Sequence, residues 1–255
     1  MHVNLSYKSQ GAAGSPIIIL HGLLGSSSNW RSIARRLAER HRVLCLDLRN
    51  HGDSPHADDM SYPAMAGDVR AFMDTHDIDT ATVIGHSMGG KTAMRLALES
   101  PGRVARLVVV DIAPSVSEHD HLPVLHAMAS LDTARVVRRA DAERLLEPQI
   151  ADAGMRMFVL QNLVSTPRGF VWRIDLGAIE RNLPALRDFP VEPAMAPFDG
   201  AALFVRGALS DYVRDSDEAL IRRLFPHAEI VTVEDAGHWL HAEQPERFLE
   251  ILGVT

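Results

Sequence analysis

Val83-Ile84-Gly85-His86-Ser87-Met88-Gly89-Gly90-Lys91 decides the reading of this chain. An apolar, β-branched run stops at Gly85, and helix-forming residues continue from Met88 through Leu98. Between them lies Gly-x-Ser-x-Gly, with Ser87 at its centre. A strand that turns sharply into a helix through a serine lifts that hydroxyl above the sheet edge. The glycines let backbone pass where a Cβ would not fit. The Met88 amide, at the helix N-terminus, points to where negative charge would develop on an attacked carbonyl. A serine before a helix also serves as a plain N-cap. The placement between a strand run and a helix run gives this one its weight.

Outward from this turn, 4–7 reads as a short first strand, and the runs at 17–20, 43–46, 81–84 and 104–110 read as further strands. Helical spacing at 29–40, 65–73 and 88–98 separates them. Alternation of this kind implies a parallel sheet with helices on both faces. From 115 to 197 no strand run is evident, and helical patterns cover 122–131, 133–146, 153–163 and 177–183. Strands at 201–205 and 229–233, with helices at 216–225 and 245–252, then resume the alternation. The expected organisation is an α/β core of residues 1–114 and 198–255. A helical lid insertion, 115–197, is expected over the sheet's C-terminal edge.

With 255 residues, 46% of them hydrophobic, the chain has material for one such domain. A formal net charge of −7 argues against a nucleic-acid partner, which needs a basic surplus. The single cysteine, Cys45, sits in the apolar run Val43-Leu44-Cys45-Leu46 and reads as core. No charged segment followed by an apolar one opens the chain, so no signal peptide is expected. No apolar run approaches the ~20 residues of a membrane span. A cytoplasmic monomer or homodimer without membrane attachment is the expectation.

Open parallel sheets bind ligands beyond the carboxyl ends of their strands, where the polar clusters of this chain fall. A nucleophilic serine needs a base, a group to orient the base, and donors for the oxyanion. His238, in the glycine-preceded Ala236-Gly237-His238-Trp239 after the last strand, is the candidate base. His241 reads as solvated or lid-facing, and His86 as packing. For the orienting acid two strand ends compete. Asp111 ends the strand after the elbow helix, and Asp211 follows the next strand. Either aspartate could instead cap a following segment. The Leu23 amide, after His21-Gly22, is the natural second oxyanion donor beside Met88, with Gly22 letting the backbone turn inward. His21, Gly22, Trp172 and Trp239 are candidate substrate-binding residues. The run Glu118-His119-Asp120-His121 carries metal-ligand chemistry but falls outside the strand-end site, and no metal or cofactor is required.

Four motifs resemble the α/β-hydrolase superfamily, in its order and over nearly the whole chain. They are His21-Gly22-Leu23-Leu24-Gly25-Ser26, Asp47-Leu48-Arg49-Asn50-His51-Gly52-Asp53-Ser54, the Ser87 elbow and Ala236-Gly237-His238-Trp239. Val110-Asp111-Ile112-Ala113-Pro114, Gln161-Asn162-Leu163-Val164, Phe170-Val171-Trp172-Arg173 and Arg206-Gly207-Ala208-Leu209-Ser210 are similar to one branch. That branch is the small bacterial carboxylesterases related to the mitochondrial abhydrolase-domain esterase. The resemblance implies an α/β-hydrolase fold and a serine carboxylesterase or thioesterase for small to medium acyl esters, acyl-CoA included. It also bears on the acid. The superfamily usually places it three residues past a glycine after the penultimate strand, a slot that holds Ser210 here, as in the branch. Other members take it from the preceding strand end, which favours Asp111 over Asp211 and leaves Ser210 as a partner of His238. The acyl-binding surface is expected among Met128, Met155, Met157, Phe158, Leu160, Leu163, Phe170 and Trp172. Rival readings within the fold are a carbon–carbon bond hydrolase, a haloperoxidase-like enzyme or a menaquinone-pathway lyase. A dehalogenase is disfavoured, since its nucleophile slot would hold Asp. A non-catalytic small-molecule receptor is the rival outside enzymology.

Overall fold

The computed structural model describes residues 2–192 and 195–253, so the outermost ends of the expected core lie outside it. Its strands are β1 (Tyr7–Gln10), β2 (Pro16–Leu20), β3 (Arg42–Leu46), β4 (Ala81–His86), β5 (Val104–Val110), β6 (Leu163–Thr166), β7 (Gly169–Trp172), β8 (Ala201–Gly207) and β9 (Ala228–Val233). Its α-helices are α1 (Arg31–Leu37), α2 (Tyr62–Thr75), α3 (Met88–Glu99), α4 (Leu122–Ser130), α5 (Arg139–Leu146), α6 (Ala153–Leu160), α7 (Leu176–Arg187), α8 (Glu218–Leu224), α9 (Leu240–Glu243) and α10 (Pro245–Leu252). Seven strands form one sheet in the order β1-β3-β2-β4-β5-β8-β9. Only the edge strand β1 runs antiparallel to its neighbour, β3.

The interior strands are apolar because both their faces are covered. Side chains alternate between two cores. Ile18, Leu20, Val83, Leu107, Val109 and Phe204 face the side of α2 and α3. Ile17, Ile19, Ile84, Val108, Leu203 and Val205 face Trp30, Ile33, Leu37, Leu240 and Phe248. Cys45 is buried on the second side, as its apolar neighbours imply. None of the described helices is long and apolar enough to cross a membrane.

Several boundaries move for local reasons. The first strand is Tyr7–Gln10 rather than 4–7, because its register is set by pairing from Tyr7↔Leu46 to Gln10↔Val43. The helix expected over 29–40 begins as a 3-10 turn, Ser27–Trp30, capped by Ser26, before α1 takes over. The one expected over 133–146 breaks into a 3-10 turn, Thr133–Arg135, and α5. Asp132 caps the first piece, and the Arg138 amide donates to Asp141 at the start of the second.

The segment 115–197 is not wholly helical, contrary to the sequence reading. β6 and β7 pair as an antiparallel hairpin from Leu163↔Trp172 to Thr166↔Gly169. The turn uses Pro167, Arg168 and Gly169, whose φ of 112° suits a residue without a Cβ. Buried residues of this segment, among them Leu125, Met128, Val159, Leu163 and Ile179, extend the α2/α3 core. Lys91 of α3 ties both ends of the segment down: its buried ammonium donates to Ser115 O (2.8 Å), Arg187 O (2.8 Å) and Asp188 O (3.2 Å).

Candidate active site

Ser87 connects β4 to α3 with φ 51° and ψ −119°, a left-handed geometry that L residues adopt only when their surroundings impose it. The surroundings do so through hydrogen bonds: Ser87 N donates to Val110 O (3.0 Å), and Lys91 N donates to Ser87 O (3.0 Å). The flanking glycines are steric necessities. A Cβ on Gly85 would lie 2.2 Å from Gly89 O, and one on Gly89 would lie 2.4 Å from Leu20 O.

The loop carrying Leu23 is held by two histidines. Leu48 N donates to His21 Nε2 (3.0 Å), so His21 carries its proton on Nδ1 and donates to Gly22 O (2.8 Å). Leu24 N donates to His51 Nε2 (3.1 Å), and His51 Nδ1 donates to Arg49 O (3.0 Å). Burial lowers both pKa values, that of His51 to about 3, so both rings stay neutral and keep these tautomers. Gly25 N turns back to Gly22 O (3.0 Å). Among the described residues, the Leu23 and Met88 amides have no protein acceptor.

His238 follows β9, and its Nδ1 donates to Asp111 Oδ2 at 2.7 Å. That fixes the tautomer in which Nε2 is free to accept a proton. Asp111, at the end of β5, is fully buried and holds φ 52°. Gly207 N donates to its Oδ1 (3.0 Å), and Ser210 Oγ donates to the same Oδ2 that takes His238. Ser210 therefore partners Asp111 rather than His238, because a hydroxyl donor satisfies a carboxylate that the imidazole only half covers. His86 is buried and donates from Nε2 to His238 O (2.8 Å), anchoring the backbone of that loop. Ser87 and His238 line one cavity of about 60 Å³ together with Leu23, Val124, Met155, Phe158, Tyr212 and Trp239.

Residues 15–245 match the alpha/beta hydrolase fold family. The sn-1-specific diacylglycerol lipase ABHD11 of Mus musculus is 41% identical over 242 residues, 92% of this chain and 78% of that protein. Esterase YbfF of Escherichia coli K12 is 35% identical over 241 residues, 93% of this chain and 91% of that protein. A solved structure described as a marine microorganism esterase superposes with a TM-score of 0.94 at 40% identity, covering 99% of this chain and 100% of that one. The chain belongs to the α/β-hydrolase fold family.

Within this hydrolase the two candidate acids part company. Asp211 is exposed, with its carboxylate 3.2 Å from His119 Nε2 rather than on His238. His119 lies flat on Tyr212 (centroids 3.6 Å, 12° between planes), and Tyr212 lies flat on His238 (3.7 Å, 14°). Glu118-His119-Asp120-His121 is thus not outside the site, as its sequence position suggested: His119 extends the ring pile, and His121 lines the Ser87 cavity. Among the described residues no group of three or more His, Cys, Asp or Glu is placed to hold a metal ion.

Other placements also differ from the sequence reading. His241 is buried and stacked on Trp30 (4.1 Å, 4°), not solvated, because α9 turns it into the second core. Trp172 lines no cavity with Ser87; its Nε1 donates to Met128 O (2.9 Å) and pins the β6–β7 hairpin to α4. Of the expected acyl-binding surface only Met155 and Phe158 reach that cavity. Met157 points outward, and Met128, Leu160 and Leu163 pack in the core. His21, Gly22 and Trp239 line an adjoining cavity of about 420 Å³.

Proposed function

We propose that this hydrolase is a serine carboxylesterase working through an acyl-enzyme. Ser87 is the nucleophile, His238 the base and acid, Asp111 the orienting carboxylate, and the Leu23 and Met88 amides the oxyanion hole. Residues 1–114 and 198–255 form the catalytic core, and 115–197 act as the lid. The observation that carries this reading is the 2.7 Å hydrogen bond from His238 Nδ1 to buried Asp111, on a ring sharing a cavity with Ser87.

Ser87 Oγ attacks the ester carbonyl as Nε2 of His238 removes its proton. The carbonyl electrons move onto oxygen, where the two amides stabilise the charge. As the tetrahedral adduct collapses, the imidazolium returns that proton to the departing alcohol or thiol oxygen or sulfur. Water then repeats the sequence on the acyl-serine, releasing acid and restoring Ser87. The esterases and lipase among the relatives support esters as the substrate class. The buried cysteine, its thiol pushed up to about 12 by burial, suits a reducing cytoplasm.

A fluorophosphonate probe labels Ser87 in the native protein, and Ser87→Ala abolishes both labelling and p-nitrophenyl ester turnover, a loss of roughly 10⁶ in kcat, while the fold is retained by circular dichroism. Turnover undiminished in Ser87→Ala refutes the assignment. Faster turnover of β-diketone acids than of p-nitrophenyl esters would move the chain to carbon–carbon bond hydrolysis.

A further inference from the structure

Two cavities meet at Ser87. One, of about 30 Å³, is lined by Leu23, Ser87, Met88, Leu183 and Leu186 but not by His238. The other, of about 60 Å³, includes His238. A general acid must reach the leaving atom. On the roles given above to Ser87 and His238, the leaving group therefore enters the second cavity.

That cavity runs on into the one of about 420 Å³ through shared walls, His86, Phe158 and Trp239. The junction is built around the base loop. Trp239 follows His238 directly, their ring centroids 6.4 Å apart, and meets Phe158 at 5.5 Å and 46°. His86 holds the carbonyl of His238 from the other side. Trp30, stacked on His241, adds a third aromatic wall.

The larger cavity carries one sign of charge. Among the described residues that line it, Glu243 is the single carboxylate, and no lysine or arginine joins it. Its histidines, His21, His86 and His241, are kept neutral by burial. Glu243 Oε2 accepts from the amide of Gly237, the residue before His238, which fixes the carboxylate beside the base loop. Aromatic faces are electron-rich, and a carboxylate adds to their field, so such walls attract an organic cation. The polar rim speaks against a polyol. Asn29 and Gln161 spend side-chain groups on each other, Nδ2 donating to Oε1 at 2.9 Å, and Asn29 Oδ1 accepts from Ser26 N. A primary ammonium brings N–H donors that need acceptors; a quaternary one brings none and suits these walls.

Resting on the esterase reading above, we propose that the cavity of Phe158, Trp239 and Glu243 binds a quaternary ammonium at the far end of the leaving alcohol. The preferred substrates are then esters of trimethylammonio alcohols, with the cation against the two rings and beside the Glu243 carboxylate.

Matched substrates test this: butyrates of ω-trimethylammonio alcohols of increasing chain length, each paired with the neutral isostere in which carbon replaces nitrogen. The native enzyme prefers the cationic ester by about tenfold in kcat/KM, through KM, at the chain length that places nitrogen in the cavity. Glu243→Gln keeps an acceptor for Gly237 N and lowers that ratio by about threefold, and Trp239→Leu lowers it by about as much. Glu246→Gln, which removes an equal charge from the exposed surface nearby, leaves the ratio unchanged. In the native enzyme tetramethylammonium competes with the cationic ester, and tert-butyl alcohol at the same concentration does not. A ratio near one at every chain length overturns the proposal, as does failure of tetramethylammonium to compete. Equal falls in Glu243→Gln and Glu246→Gln also overturn it, by reducing the preference to the general field of a chain with net charge −7. Faster turnover of glycerol or glucose butyrates than of either paired series would make the cavity a polyol site, and the proposal fails. Failure of the underlying esterase reading is told apart by p-nitrophenyl butyrate: its hydrolysis would then survive Ser87→Ala.

Discussion

Replacing Asp111 by Asn keeps the side chain's shape and tests the orienting role directly. Gly207 N donates to Oδ1 at 3.0 Å, so the amide oxygen of Asn stays at that position. The amide NH₂ then takes the place of Oδ2, which now accepts from both Ser210 Oγ and His238 Nδ1. A donor facing Nδ1 forces the imidazole to carry its proton on Nε2, where it cannot accept from Ser87. Loss of the correct tautomer in a triad costs roughly 10⁴ in kcat, or about 5.5 kcal/mol of transition-state stabilisation. Asp211→Asn is the comparison. Its carboxylate is 75% exposed beside His119, and exposed pairs contribute about 0–1 kcal/mol, so its loss stays within about fivefold. The assay is kcat on p-nitrophenyl butyrate near pH 7.5, with circular dichroism to confirm that each variant folds. An Asp111→Asn enzyme within about tenfold of native, or equal losses in both variants, refutes this account of the acid.

Moving the carboxylate one strand along, by combining Asp111→Asn with Ser210→Asp, recovers at least about tenfold of the kcat lost in Asp111→Asn alone; no recovery means that the Ser210 position cannot address His238. Tyr212→Leu lowers kcat up to about tenfold with KM little changed, the worth of one aromatic stack, while Tyr212→Phe stays near native; equal losses in both would assign Tyr212's role to its hydroxyl. Burial holds His51 and His241 at about 3, and His86 well below its ordinary value, so the folded protein resists protons that the unfolded chain binds near 6.5. Stability is therefore complete above that pH and is lost as pH falls toward 3, by about 3 kcal/mol each for His51 and His241 at pH 4; a urea midpoint flat from pH 7 to 4 contradicts this. Lys91 is lowered to about 8 by burial, with Asp188 opposing, so between pH 8 and 10.5 the unfolded chain binds more protons and stability gains up to about 3 kcal/mol from this group. Lys91→Met removes that rising component from the stability–pH curve, and a curve parallel to native would show that the ammonium carries no burial penalty.

The alternating core was legible because its strands are continuous apolar runs bounded by glycine or polar loops, a pattern set by burial on both faces. The hairpin of β6 and β7 was not, because each strand is four residues long and only half buried, so its alternation is too brief to distinguish from a helix end. Ser87 and His238 stood out through local turn chemistry. His51 did not: its role comes from accepting the Leu24 amide, a contact 27 residues distant in sequence. His119 gave a misleading signal. Its neighbours suggested metal chemistry, whereas its ring partner, Tyr212, comes from the far side of the inserted segment. Side chains whose work depends on a single distant partner leave no periodicity to read.

The choice between Asp111 and Asp211 was open in sequence for a reason the sheet makes plain. β4, β5 and β8 are adjacent and parallel, and the ladder continues past each strand end by one amide: Ser87 N to Val110 O, then Asp111 N to Val205 O. Ser87 and Asp111 occupy equivalent positions on neighbouring strands, and each has φ near 50°. Such conformations cost of order 1–3 kcal/mol apiece and persist here because each residue's amide is locked to the next strand. The left-handed turn swings Asp111 sideways across the end of β8, where Gly207 N and Ser210 Oγ receive it. A carboxylate from β5 thereby reaches the place that a carboxylate three residues beyond Gly207 would occupy. The loop after β8 then needs only a donor, and serine supplies one. With its carboxylate freed from the imidazole, Asp211 can turn outward to His119, and the inserted segment is joined to His238 through the ring of Tyr212 instead.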